Sequence, residues 1–195
     1  MKGVIDKIIK NITKNPFILF VNGFLFVVML ILGGIFGVND NTISIFSDNV
    51  YNYYISILSV NSSGFAFVFN QIFNIALCFV PVFLLSLNIY TFFINFIFVG
   101  YRGFILGISF RVILNVFSIN GLIVWLFLIF LQNLILTFSI CLFMCNAYIL
   151  LNCKNKFYIN KLFRYLIISL IVALIGVIIK CIFVFCIFKP LNLYF

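Results

Sequence analysis

The sequence predicts an all-α fold, a polytopic integral membrane bundle of about five transmembrane helices with its N-terminus in the cytoplasm and its C-terminus outside. Three observations predict it. Hydrophobic residues make up 66% of the 195 residues and charged residues only 8%, whereas soluble domains are about a quarter charged. A soluble protein of this size would have too little polar surface to cover so much apolar area. Finally, no Lys or Arg occurs between Lys14 and Arg102, and most remaining positive charges cluster beside apolar runs. That placement is the positive-inside bias of a membrane protein. The net charge of +9 is therefore read as a topology signal, and nucleic acid is excluded as a partner.

Residues 1–15 carry Lys2, Lys7, Lys10 and Lys14 among Val4, Ile5, Ile8, Ile9 and Ile12, the spacing of a short basic amphipathic helix on an anionic leaflet. The following run is too long for the apolar region of a signal peptide and no small-residue cleavage site follows, so it reads as a retained first span, 16–38. Pro16 suits a first helical turn, where a missing N–H costs least. Residues 39–64 contain Asp40 and Asp48 and no positive charge, which places them outside. Tyr51, Tyr53 and Tyr54 there suit an interfacial helix, since Tyr favours the headgroup level.

The apolar run 65–100 reads as one long, tilted or broken helix, with Pro81 as its kink because it removes a backbone hydrogen bond. It is expected to return to the cytoplasmic face at Tyr101-Arg102. A short span 104–117 follows, which a re-entrant hairpin would also satisfy. The full crossing 122–151 leads to the basic cytoplasmic segment 152–164, with Lys154, Lys156, Lys161 and Arg164, and 165–188 is the last span. Together these make one transmembrane domain, 1–195. The abundance of Phe, Ile, Asn and Lys is what an AT-rich coding sequence produces and points to a low-GC bacterium.

The catalytic inventory is nearly empty. The chain has no Glu and no His, and its carboxylates are Asp6, Asp40 and Asp48. A carboxylate pair needs proximity, which the membrane denies Asp6, and a Ser or Cys nucleophile needs a base. No phosphate-binding loop is present. These absences argue against an enzyme, and no cofactor is implied. Of the six cysteines, all but Cys153 lie in apolar segments. Without His or a C-x-x-C pair they form no metal site and read as small hydrophobes.

The residues that stand out are suited to helix contact. Gly33-x-x-x-Gly37 and Gly103-x-x-x-Gly107 each place two glycines on one helix face, permitting close backbone approach within the monomer or to a partner. Arg111 and Lys180 lie within apolar spans that contain no acidic residue. A cation there costs about 2.5–3.5 kcal/mol on insertion scales, so Arg111 must snorkel, find Asn115 or backbone carbonyls, meet a carboxylate on another protein, or line an ion or substrate path. Gln132 and Asn133 are adjacent amides able to cross-link helices.

Arg102-Gly103, Gly107, Gly121 and Gln132-Asn133-Leu134 follow one another in order. With the Gly33 to Gly37 end of the first span, Phe163-Arg164-Tyr165, Gly176 and Lys189-Pro190, this order resembles the stage II sporulation protein M family. The resemblance implies a non-enzymatic membrane scaffold at the sporulation septum of a bacterial cell. Its expected role is to anchor or recruit peptidoglycan-remodelling machinery, the stage II sporulation proteins D and P, during forespore engulfment. The alternative is a membrane subunit of a small-molecule transporter, such as an energy-coupling vitamin importer. That reading needs polar residues converging on a pocket, and Asn70, Gln71, Asn74, Asn88, Asn95 and Gln132 are the candidates.

Overall fold

In hydrocarbon no water is available to backbone groups, so each span must satisfy its own N–H and C=O groups as a helix. The computed structural model describes residues 16–36, 64–118, 120–152 and 158–188, and every regular element among them is helical. These are α1 (Pro16–Phe36), α2 (Gly64–Leu85), α3 (Ile89–Phe92), α4 (Ile94–Phe117), α5 (Asn120–Val124), α6 (Leu131–Asn152) and α7 (Tyr158–Ile182). Two π-helical stretches, Trp125–Phe130 and Phe183–Phe188, join α5 to α6 and extend α7. Among the described residues, five helical stretches are long and apolar enough to cross a bilayer: Pro16–Phe36, Phe65–Leu85, Ile89–Phe117, Gly121–Asn152 and Tyr158–Cys186. The chain is an all-α, multi-pass membrane bundle.

Contacts between helices fix their directions. Along α1 and α4, Phe26 faces Gly103, Leu30 faces Gly107 and Arg111 reaches Ile35, so the two helices run parallel. Phe83 lies 6.4 Å from Phe143 and Gln71 faces Gln132, which makes α2 parallel to α6. Antiparallel to that pair, α7 sets Phe163 beside Phe83 and Phe185 beside Phe67. Successive spans therefore alternate in direction. Exposed Lys161 and Arg164 lie at the end of the bundle where α7 begins.

The sequence expectation fails between 65 and 117. The run 65–100 is not one helix: α2 passes through Pro81 and ends at Leu85, and the chain reverses over Ser86–Asn88. It is a polar side-chain clasp that makes this turn. The Asn88 side chain caps α3 by accepting from the Tyr90 N–H at 3.1 Å, and Thr91 Oγ1 donates to the Leu85 carbonyl at 2.7 Å. Buried Asn95 donates to Ser86 Oγ at 3.1 Å, and the Tyr158 hydroxyl donates to the Ser86 carbonyl at 2.6 Å. Helix-end groups that water would otherwise satisfy are thus bonded within the protein. The next span runs Ile89–Phe117, so 104–117 is the second half of a longer helix and Tyr101-Arg102 is no interfacial turn. Arg102 is the fourteenth of the span's 29 residues.

The turn after α4 places Ser118 at φ 52°, and the Gly121 N–H donates to the Ser118 carbonyl at 3.1 Å. A Cβ on Gly121 would stand 2.6 Å from the Ile113 carbonyl oxygen, so only glycine closes this corner. From Ser139 to Ala147 every residue of α6 is buried, which makes α6 the axis on which the other spans pack. The expected basic segment 1–15, residues 39–63 of the expected loop 39–64, Gly37, residues 153–157 and Lys189-Pro190 lie outside the described residues, while Gly64 opens α2 and 158–164 of the expected cytoplasmic segment form the first turns of α7.

Candidate functional site

Three polar residues lie at helical spacing on α2: Gln71, Asn74 and Cys78. They face Arg102 on α4, Gln132 and Asn133 on α6 and Lys180 on α7 across a cavity of about 570 Å³. Gln71 Oε1 accepts from Gln132 Nε2 at 3.1 Å and from Lys180 Nζ at 3.2 Å. The Lys180 ammonium also lies 5.6 Å from the centre of the Phe67 ring. Arg102 donates to Asn133 Oδ1 at 3.3 Å and to the Cys78 thiol, while Asn133 Nδ2 donates to the Ile129 carbonyl at 2.9 Å.

Two layers result. Gln71 joins Gln132 and Lys180 by accepting from both, and Arg102 joins Asn133 and Cys78 at the midpoint of the Ile89–Phe117 span. The amides satisfy much of their own capacity. Arg102 has five donors, and its described acceptors are an uncharged amide oxygen and a thiol. The described residues contain no Asp, Glu or His, so none of them brings a carboxylate to this cavity. What it offers is net positive potential in a low-dielectric setting, where charge interactions are far stronger than in water.

The cavity opens sideways. Leu77 and Asn74 on α2, and Tyr101 and Ile105 on α4, line it and are all exposed, Tyr101 by 57%. These residues sit in the middle reaches of their helices, so the mouth faces the hydrocarbon between α2 and α4.

The other singled-out residues lie elsewhere. Gly33, Gly103 and Gly107 form a seam between α1 and α4. A Cβ on Gly33 would collide with the Phe104 carbonyl, on Gly103 with that of Phe26, and on Gly107 with that of Leu30 and, at 2.6 Å, with the Gly34 nitrogen. These three glycines are spent on packing inside the monomer, which in lipid is a main source of helix association. Arg111 donates to the Ile35 carbonyl at 2.9 Å, in the last turn of α1, where the helix dipole favours a cation. Of the six polar residues named for a pocket, Gln71, Asn74 and Gln132 converge. Asn88 caps α3, Asn95 binds Ser86, and Asn70 is exposed and outside the lining.

Sequence reasoning missed the grouping of Gln71, Asn74, Cys78 and Lys180 with Arg102. The i, i+3, i+7 spacing on α2 was a signal for one polar face. Arg102 was hidden by being placed at the membrane surface.

No protein-family model matches the chain, and neither a curated protein nor a solved structure matches it.

Proposed function

We propose that this chain is a non-enzymatic scaffold of the bacterial cell membrane, which assembles with other membrane proteins through the cationic cavity between α2, α4, α6 and α7. The observation that carries this reading is Arg102: a permanently charged group at mid-span, beside a mouth open to lipid, with no carboxylate on the described helices. Placing such a group at the bilayer centre costs about 2.5–3.5 kcal/mol on insertion scales, and an assembly partner that supplies the opposite charge offsets it. Arg102, Gln132 and Asn133 also belong to the residues on which the resemblance to the stage II sporulation protein M family rests. The reading therefore extends to septal peptidoglycan remodelling during engulfment, with N-terminus and basic segments facing the cytoplasm. A photocrosslinking residue in place of Tyr101, activated in sporulating cells of the source organism, is expected to capture membrane proteins that include a cell-wall hydrolase. Adducts to lipid alone would overturn the scaffold.

A second reading is supported by the convergence of Gln71, Asn74 and Gln132 with the two basic residues. A concave site of several hundred Å³ with a few convergent polar groups is also what a small ligand needs, and a transporter subunit would use it so. Thermal stabilisation of the purified protein by a small anion, absent in the Gln71→Leu variant, would favour this reading over the scaffold.

A further inference from the structure

We infer that the cavity between α2 and α4 is a socket for a partner's membrane-spanning helix carrying a single Asp or Glu near its own midpoint, whose carboxylate meets Arg102. This rests on the scaffold reading and names the chemistry of its partner.

Depth is the first argument. Arg102 stands halfway along the 29-residue span Ile89–Phe117, about 15 Å from either surface of a hydrocarbon core roughly 30 Å thick. A lipid or fatty-acid headgroup is held at the interface, and so is a soluble anion, because a bare charge does not cross hydrocarbon. A carboxylate fixed at the centre of a helix is delivered to this depth by the helix itself, whose backbone groups are already bonded.

The second argument is access. Three of the four exposed residues that frame the mouth, Leu77, Tyr101 and Ile105, are apolar or amphipathic, and Asn74 is the fourth. That frame suits lateral approach of another apolar helix, whereas a hydrated solute would need a polar path. The third is charge. Arg102 and Lys180 line one cavity, and the described helices contribute no acid to it. Lys180 is occupied by Gln71 and lies over Phe67, so Arg102 is the better anchor. Its planar fork matches a carboxylate bidentately. The glycine seam is already consumed by α1 against α4, and this cavity is a polar, cationic contact surface open to a neighbour in the bilayer.

The test reconstitutes the full chain in phosphatidylcholine vesicles with a donor fluorophore at its N-terminus. The probes are three synthetic leucine-rich spanning helices, alike except for Asp, Asn or Leu at the central position, each carrying an acceptor. Energy transfer is expected to show the Asp helix associating about tenfold or more tightly than the Asn and Leu helices. The preference is expected to disappear when the Asp is moved to within a turn of the helix end, or when the protein carries Arg102→Gln. The comparison of the three helices uses the unaltered protein, so it does not depend on how the variant folds. Equal association of the Asp and Leu helices would overturn the inference, as would full competition by oleate, which would assign the site to an amphiphilic carboxylate. In cells, crosslinks from Tyr101 to proteins whose spans contain no acid would overturn the inference and leave the scaffold standing, while crosslinks to lipid alone would overturn both.

Discussion

The two faces of α4 solve the same problem in opposite ways. Toward α1 it presents Gly103 and Gly107, and the backbones meet so closely that a single added carbon collides with a carbonyl. Toward α2 it presents Tyr101, Arg102 and Ile105 at the edge of a cavity, and the helices stand apart. One face is closely packed backbone on backbone; the other lines a cavity with polar side chains. Without a hydrophobic drive between helices in lipid, contact area and interhelical hydrogen bonds must hold the bundle together. The glycine seam supplies the first, which frees the opposite face to carry a charge whose described partners are an amide and a thiol.

The largest expected effect falls on the full face. Gly107→Leu should lower stability by about 3 kcal/mol, the upper end of ordinary overpacking, or prevent assembly of the bundle. Gly23, on the same helix as Gly33 but with nothing near its missing Cβ, should tolerate Leu within about 0.5 kcal/mol. Comparing denaturation midpoints of the two variants in one detergent breaks the contrast if both fall alike.

Arg102→Leu should act in the other direction, raising stability by about 1–3 kcal/mol because an uncompensated charge leaves a low-dielectric site. The same variant should lose capture of membrane partners at Tyr101. A fall in stability as large as that of Gly107→Leu would show that the guanidinium holds the bundle together and is not held in reserve. Removing the cross-link between α2 and α6 with Gln132→Leu should cost about 1 kcal/mol, within the range of interhelical hydrogen bonds in membranes. It should also release Gln71 to pair with Lys180 alone. Smallest is Ser109→Ala, which deprives Trp125 Nε1 of an acceptor at 3.1 Å and should cost about 0.6 kcal/mol, read as a small drop in midpoint with a change in Trp emission.

Much of the fold was legible because hydropathy and helix length are tied together by bilayer thickness. The all-α class and the approximate ends of the first and fourth spans needed no tertiary information, whereas the last helix begins at Tyr158, seven residues before the expected start at 165. The break after Leu85 was not legible, since Ser86-Leu87-Asn88 contains no Gly, Pro or charge, and what stops the helix is bonding from Thr91, Asn95 and Tyr158. Pro81 was the stronger local signal and the wrong one. Moving the break moved Arg102 from a surface position to mid-span, and with it the whole site. Arg102, Gln132 and Asn133 could be picked out one at a time as polar residues in apolar company. Their meeting with Gln71, Asn74 and Lys180 depends on residues up to 109 positions apart, which no local pattern encodes.

The wide winding over Trp125–Phe130 has a bearing on that meeting. A π turn takes up more residues than an α turn, so each residue turns the chain by less and everything beyond it lags in angular phase. Each residue of an α-helix turns the chain by roughly 100°. Rewound as plain α-helix, the six residues would leave the helix axis in place yet crank Gln132 and Asn133 around it, away from Gln71 and Arg102. The matching stretch Phe183–Phe188, whose Phe183 ring lies 4.6 Å from that of Phe127, shares the same level of the bundle. The aim of the amides is therefore set by how tightly the preceding segment is coiled, and not by the identity of the amides alone.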